Sequence, residues 1–293
     1  MTITASQVMK LREATGLGMM TCKKALTEAD GDMDKAIDNL RKQGQMTAAK
    51  RAGRAAKEGK VCVIIKDSDA LVYEVNSETD FVARNNDFLA FAETLGTVLL
   101  EQKPADLDSA MAMASSLFDN QTVEAKIMEI MGKIGEKISF RRFKLIPVDH
   151  SKERAFSYIH GNGKIGVIVI ITADKSELLD SETLAELGKD LAMQVAASKP
   201  VAVNRETVPQ EIIDKEKEIY LSQVKSSGKP EKIWDKIVEG KLNKFFKQAS
   251  LLEQEYIKDT DMTVTDRIKQ VEKENESAVT VSSFVRFELG VEE

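Results

Sequence analysis

Apolar residues fall at helical spacing over the first forty positions. Thr4-Ala-Ser-Gln7 has the form of a capping box ahead of Val8 and Leu11, and Gly16 stands where a C-terminal cap belongs, which predicts a first helix over about residues 5–15. A second run puts Cys22, Ala25, Leu26 and Ala29 on one face and stops at Gly31. A third starts at Asp32, carries Met33, Ala36, Ile37 and Leu40 at i, i+3, i+4 and i+7, and stops at Gly44. This is the pattern of a three-helix bundle. After a basic segment the period drops to two. Val61, Val63 and Ile65 alternate, Asp67-Ser-Asp69 makes a turn, and Leu71, Tyr73 and Val75 alternate again, as in a β-hairpin. The polar stretch from Asn76 to Asn85 follows, then a helix striped by Phe88, Phe91, Ala92, Leu95, Val98 and Leu99. A further amphipathic helix carries Val123, Ile127, Ile130 and Ile134, and a strand runs from Ile138 to Leu145.

From about Ala155 the order recurs. A strand over Ala155–Ile159, a Gly-rich turn and a strand over Gly166–Thr172 precede a helix striped by Leu184, Leu187, Leu191 and Val195. The closing strand Ser283-Phe-Val-Arg-Phe-Glu-Leu289 matches Ser139-Phe-Arg-Arg-Phe-Lys-Leu145 at five of seven positions. The fold class is therefore α+β, with a helical bundle before two copies of one unit. Residues 210–249 interrupt the second copy. There Ile212, Ile219, Tyr220, Trp234, Val238, Leu242 and Phe245 mark two amphipathic helices about the turn Ser226–Pro230, an antiparallel helical hairpin. Its nine lysines and seven acids predict that it projects into solvent or pairs with another chain, a second copy of this one included.

Composition narrows the chemistry. The 293 residues are 42% apolar and 31% charged, enough for a sizeable core, and the longest apolar stretch, Ile165–Ile171, is too short to cross a bilayer. With no leader-like N-terminus, a cytoplasmic location and no membrane partner are expected. Cys22 and Cys62 lack zinc or disulfide spacing and read as buried thiols, while His150 and His160 are too few for histidine catalysis or a multi-histidine metal site. No catalytic or metal residue is assigned. Residues 1–58 hold 11 Lys/Arg against 7 Asp/Glu, which makes the head +4 within a chain of net −6. From Asn39 to Lys57 no acid occurs, so an RNA-binding regulator acting through this run is an alternative reading. No aromatic side chain interleaves the run to stack on bases, and nucleic acid is disfavoured as a partner.

Gly161-Asn-Gly163-Lys-Ile-Gly166 is a formal GxGxxG, but it leads into the β run Val167–Ile171 rather than opening a helix, so a hairpin turn is expected and not a phosphate loop. No GxxxxGK[ST] occurs, and neither direct nucleotide binding nor any cofactor is expected. Glu78 and Asp80 read as cap or turn residues. Phe81 has two readings. Spacing favours a staple folded back on the core; the alternative is an exposed wedge that enters a partner's pocket. Met19 and Met20, placed by the pattern in the turn before the second helix, either plug the bundle or form an adaptable contact surface.

Two long motifs, Leu11-Arg-Glu-Ala-Thr-Gly-Leu-Gly-Met-Met-Thr-Cys-Lys-Lys-Ala-Leu26 and Glu74-Val-Asn-Ser-Glu-Thr-Asp-Phe-Val-Ala-Arg84, resemble the defining motifs of the bacterial translation elongation factor Ts family. His160–Val167, Ala196–Pro200, Ser250–Ile257 and Phe284–Phe287 are similar as well, in order along nearly the whole chain. The resemblance implies a ubiquitin-associated-like (UBA-like) bundle over 1–44, a basic linker over 45–58 and a first core half over 59–149. A second half follows over 150–209 and 250–293, with a coiled-coil hairpin over 210–249 inserted in it. It implies guanine-nucleotide exchange on elongation factor Tu by protein contact, with no enzymatic step. Asp80 and Phe81 would reach the GTPase domain near its Mg²⁺ site, Arg12, Met19 and Met20 would touch the same domain, and His160, Gly161, Tyr256 and Ile257 would grip another domain. Thr21 and Lys258 receive no role.

Overall fold

The computed structural model describes residues 3–15, 18–40, 42, 53–66 and 68–291. The stops expected at Gly16 and Gly44, the turn residue Asp67 and most of the basic segment 39–57 lie outside the described residues.

The bundle forms as its local signals dictate. Helix α1 (Ala5–Thr15) opens on the reciprocal box: the Thr4 N–H donates to Gln7 Oε1 (3.0 Å) and the Gln7 N–H to Thr4 Oγ1 (3.3 Å). Helix α2 (Met19–Glu28) ends in a turn with Asp30 and Gly31 at positive φ, where the Gly31 N–H reaches back to the Leu26 carbonyl (2.8 Å). Asp32 caps helix α3 (33–40) by accepting the Lys35 N–H at 3.0 Å. Val8, Leu11, Cys22, Ala25, Leu26, Ala29, Ala36 and Leu40 fill the centre. Met19 and Met20 differ from the expectation: they form the first turn of α2 itself, because Gly18 takes the extended N-cap conformation and its carbonyl already accepts the Cys22 N–H.

The first half runs β1 (Glu58–Lys66), β2 (Asp69–Ser77), α4 (Asp80–Ala83), α5 (Asn86–Gln102), α6 (Leu107–Ala112), β3 (Ala114–Ser115), β4 (Gln121–Thr122), α7 (Val123–Ile134) and β5 (Ile138–Pro147). The second half repeats the plan as β6 (Glu153–His160), β7 (Ile165–Ala173), α8 (Ser176–Leu179) and α9 (Glu182–Ser198). The hairpin α10 (Gln210–Lys225) and α11 (Trp234–Ala249) follows, and β8 (Glu255–Tyr256), β9 (Asp259–Thr263), α12 (Val264–Asn275) and β10 (Val279–Glu288) complete the half. Sheet order is β1-β2-β5 in one and β10-β7-β6 in the other, so in each half the closing strand pairs with the second hairpin strand. Helices α5 and α9 are both 17 residues long, and each ends on a lysine in left-handed conformation, Lys103 or Lys199. The sequence reading had no helix at α12, which buries only Val264, Ile268 and Val271 along 12 residues.

By backbone contacts the chain divides into two compact units, Met1–Cys62 with Tyr73–Phe143 and Leu289–Glu293 in one, and Val63–Val72 with Lys144–Glu288 in the other. The centre of the second half is the face of β7 (Val167, Val169, Ile171) against Leu184, Leu187, Leu191 and Val195 of α9 and Val264, Ile268 and Val271 of α12. Gly188 lets α9 approach β6, since a Cβ there would lie 2.1 Å from the Phe156 ring. Hairpin α10–α11 is pinned at its base by Arg205, whose guanidinium donates to both oxygens of Glu253 (2.9 and 2.7 Å) and covers the Phe246 ring.

In β2 the expected alternation fails. All nine residues are buried, including Glu74 and Asn76, which alternate with the apolar positions. The reason is a tertiary cover that local pattern does not reveal. The Glu74 carboxylate accepts from Arg142 Nε (2.7 Å), Asn76 Nδ2 (2.9 Å) and the Gly290 backbone N–H (2.8 Å). Gly290 sits at φ +73°, and a Cβ there would lie 2.8 Å from the Lys57 carbonyl, so the approach needs glycine. Cys22 is buried as read, but Cys62 is half-buried, and burial pushes its thiol up.

Candidate functional site

The short helix α4 is set by its caps. Thr79 takes extended backbone and its hydroxyl accepts the Val82 N–H, while Asn85 caps the next helix two residues beyond the end of α4. At 100° per residue, Val82 and Ala83 turn into the core, which leaves Asp80 and Phe81 facing out. Asp80 pairs with Arg84 at 3.1 Å on the surface. Phe81 is 82% exposed. The staple favoured by spacing is thereby corrected: Val82 and Ala83 fill the inward positions a staple would have used. The second half supplies an internal comparison. Helix α8 also has four residues and also buries its last two, Leu178 and Leu179, but its second position, matching Phe81, is the exposed Glu177. The fold makes this turn without an aromatic residue.

Arg12, Met19 and Met20 are all exposed on the bundle, Met20 at 76%. Met20 borders an open depression of about 620 Å³ lined also by Thr21, Lys23, Lys24, Ala25 and Thr27. The plug reading of the methionines is overturned, since α1, α2 and α3 close their centre with other side chains.

The formal GxGxxG is a hairpin turn. His160 pairs with Ile165 at the end of the β6–β7 ladder, the Lys164 N–H donates to the His160 carbonyl, and Gly161, Asn162 and Gly163 all have positive φ. His160 and Gly161 are exposed, and the Tyr158 hydroxyl lies 3.1 Å from His160 Nδ1. Tyr256 and Ile257 sit on a separate ribbon, β8–β9, and they part company. The Tyr256 ring is 4% exposed and its hydroxyl donates to the buried Asp190 carboxylate at 2.5 Å, so it is a prop of the ribbon and not a free surface. Burial first, then this bond to Asp190, push the phenol up to about 12. Ile257 points outward at the ribbon turn, where its N–H donates to Gln194 Oε1 (2.7 Å). Lys258, assigned no role above, pairs with Asp190 at 2.8 Å. Sequence reasoning missed Asp190 and Gln194, polar residues inside the apolar stripe of α9. Their burial is the signal that they serve the ribbon.

An exposed aromatic on a capped turn, a methionine surface and a hairpin tip of positive-φ residues are surface features of the kind that suit contact with another protein. A family model described as elongation factor TS matches residues 78–291. The chain is 46% identical over 290 residues to the elongation factor Ts of Syntrophotalea carbinolica, covering 99% of this chain and 94% of that one. It is 42% identical over 292 residues to that of Trichlorobacter lovleyi (99% and 93%) and 44% identical over 291 residues to that of Prosthecochloris aestuarii (98% and 99%). The chain belongs to the elongation factor Ts family. It is a GDP/GTP exchange factor for elongation factor Tu in translation elongation, acting by protein contact without covalent chemistry. Among the described residues no helix is long and apolar enough to cross a membrane.

Proposed function

We propose that Phe81 is the wedge of the exchange reaction, entering the GTPase domain of elongation factor Tu near its Mg²⁺ site with Asp80 beside it. The observation that carries this reading is the exposure of Phe81 on a turn whose counterpart in the second half carries Glu177. An exchange factor must hold the nucleotide-free partner more tightly than the nucleotide-bound one, and by linkage the nucleotide loosens the factor by the same ratio. Each tenfold shift takes about 1.4 kcal/mol of differential contact, and burying one Phe supplies about 1.5–3 kcal/mol. The wedge therefore needs an amplifier, disturbance of the Mg²⁺ that holds the phosphates, and anchors to push against. Stopped-flow release of a fluorescent GDP analogue by Phe81→Ala tests the wedge.

The anchors in this reading are Arg12, Met19 and Met20 on the bundle, and His160, Gly161 and Ile257 on the second half, with Tyr256 holding the ribbon from within. Deleting residues 1–44, or substituting His160→Ala, should raise the factor concentration that gives half-maximal exchange while leaving the rate at saturation close to wild type. Loss of the saturating rate would contradict the division into grip and wedge. Direct nucleotide binding has no place in this reading, because the Gly161–Gly166 turn offers no helix N-terminus to a phosphate, and nucleic acid has none because no aromatic side chain interleaves the basic run 39–57. A second copy of the chain is read as a partner of the hairpin, where Ile219 and Ile233 are exposed. Sedimentation velocity across concentration should show a dimer that Ile219→Lys abolishes, and a monomer throughout would remove this part.

A further inference from the structure

At the start of the turn that carries Phe81, two carboxylates each hold the backbone of the residue that follows the other. Glu136, between α7 and β5, accepts the Thr79 N–H through Oε2 (3.0 Å) and the Thr79 hydroxyl through Oε1 (2.8 Å). Glu78 in return accepts the Lys137 N–H at 2.7 Å. Each carboxylate thus fixes the residue next to the other. The Arg54 guanidinium adds a contact of 3.2 Å to each Glu78 oxygen, and Lys137 Nζ donates to the Arg54 carbonyl at 2.9 Å. Thr79 is the N-cap of α4, so the clasp grips the residue from which the turn carrying Phe81 starts.

The second half has an equivalent joint whose N-cap amide meets a neutral acceptor. There Lys175, the N-cap of α8, donates its N–H to the neutral Ser277 hydroxyl at 3.1 Å in place of a two-oxygen carboxylate, while the Asp174 N–H donates to the Ala278 carbonyl at 3.2 Å and Lys175 Nζ reaches the Asn275 carbonyl at 3.1 Å and Glu276 at 3.8 Å. Hydrogen bonds to an ionised acceptor are shorter and roughly twice as strong as neutral ones. A neutral hydroxyl on the N-cap amide suffices to build the turn in one half, and a carboxylate that takes both the N-cap amide and its hydroxyl occurs in the half whose turn carries an exposed aromatic. From this we infer that Glu136, backed by Glu78, is a positioning residue for nucleotide exchange: it keeps the first turn of α4 from yielding when Phe81 is pressed into the partner. The inference rests on the reading of Phe81 as the wedge. A side chain that must deform another protein transmits only as much as its own support resists, and supporting hydrogen bonds set that resistance.

The test is a mutant cycle in the full chain, read as the rate of fluorescent-GDP release from elongation factor Tu at saturating factor. Glu136→Ala should slow this rate roughly three- to thirtyfold, within the range of coupling between contacting residues. Glu136→Gln, which keeps one acceptor oxygen, should recover part of it. The double variant Phe81→Ala/Glu136→Ala should be no slower than Phe81→Ala alone. Ser277→Ala, which removes the matching N-cap acceptor in the second half, should lower the melting temperature and exchange at the wild-type rate. A wild-type rate for Glu136→Ala, a double variant slowed by the full product of the single effects, or equal slowing by Ser277→Ala would each overturn the inference while leaving the wedge standing. If Phe81→Ala itself exchanges at the wild-type rate, both readings fall. Should Glu136→Ala melt below the assay temperature, Glu136→Gln carries the same cycle.

Discussion

Phe81→Ala should slow GDP release from elongation factor Tu by one to two decades at saturating factor while leaving the factor folded. The size follows from the apolar burial that a fully exposed Phe gains on entering a pocket, about 1.5–3 kcal/mol, with each 1.4 kcal/mol worth a factor of ten. The absence of a folding cost follows from geometry. With 82% of the residue in solvent there is little packing to lose, and exposed substitutions of this kind usually stay within about 0.5 kcal/mol. Release kinetics and thermal melting should therefore separate, with a large change in the first and a shift of no more than a degree or two in the second. Unchanged release with an unchanged melt would remove the wedge. A collapsed melt would restore the staple that the structure has set aside.

Glu74→Ala should be the most damaging single substitution for stability described in this chain. It leaves the half-buried Arg142 guanidinium without the carboxylate it contacts at 2.7 Å, and it strips the Gly290 N–H of its acceptor. Removing one side of a buried ion pair costs about 3–5 kcal/mol, because the remaining charge loses its carboxylate in a site with little access to water. For a unit of this size that corresponds to roughly 10 °C in melting temperature. Glu74→Gln keeps the shape and one acceptor and should fall between. Differential scanning calorimetry reads the result, and a loss under about 1 kcal/mol for Glu74→Ala would mean that Arg142 finds water or another acceptor at no cost.

These two residues also mark how far the sequence could be read. Thr4 and Gln7 announce α1 because a capping box is complete within four positions, and the hairpin at His160 is legible because glycine at positive φ is a local need. The duplication shows through the likeness of β5 to β10, strands that close equivalent sheets. Where reading failed, the determining contact is remote. Alternation sets Glu74 opposite the apolar positions and nothing near it reveals that residue 290 will cover it, and the clasp of Glu136 on Thr79 spans 57 positions. The direction of Phe81 was ambiguous for a different reason. Its neighbours Val82 and Ala83 are apolar too, and only the phase of a four-residue helix decides which of the three stays out. Tyr256 and Ile257, adjacent and both tied to the partner by resemblance, are separated where the strand gives way to the turn into a buried prop and an exposed side chain.

The tie from Gly290 to Glu74 bears on how the chain comes off the ribosome. Two of the three donors on that carboxylate, Asn76 and Arg142, belong to the first half, but the third is encoded 216 residues after Glu74. Closing so long a loop costs only logarithmically more than closing a short one, so the tie is affordable in the finished chain. During synthesis it arrives last. The first half must therefore wait, with its buried acid one donor short, until the whole second half and its hairpin have been translated, and its final consolidation falls after those elements have emerged.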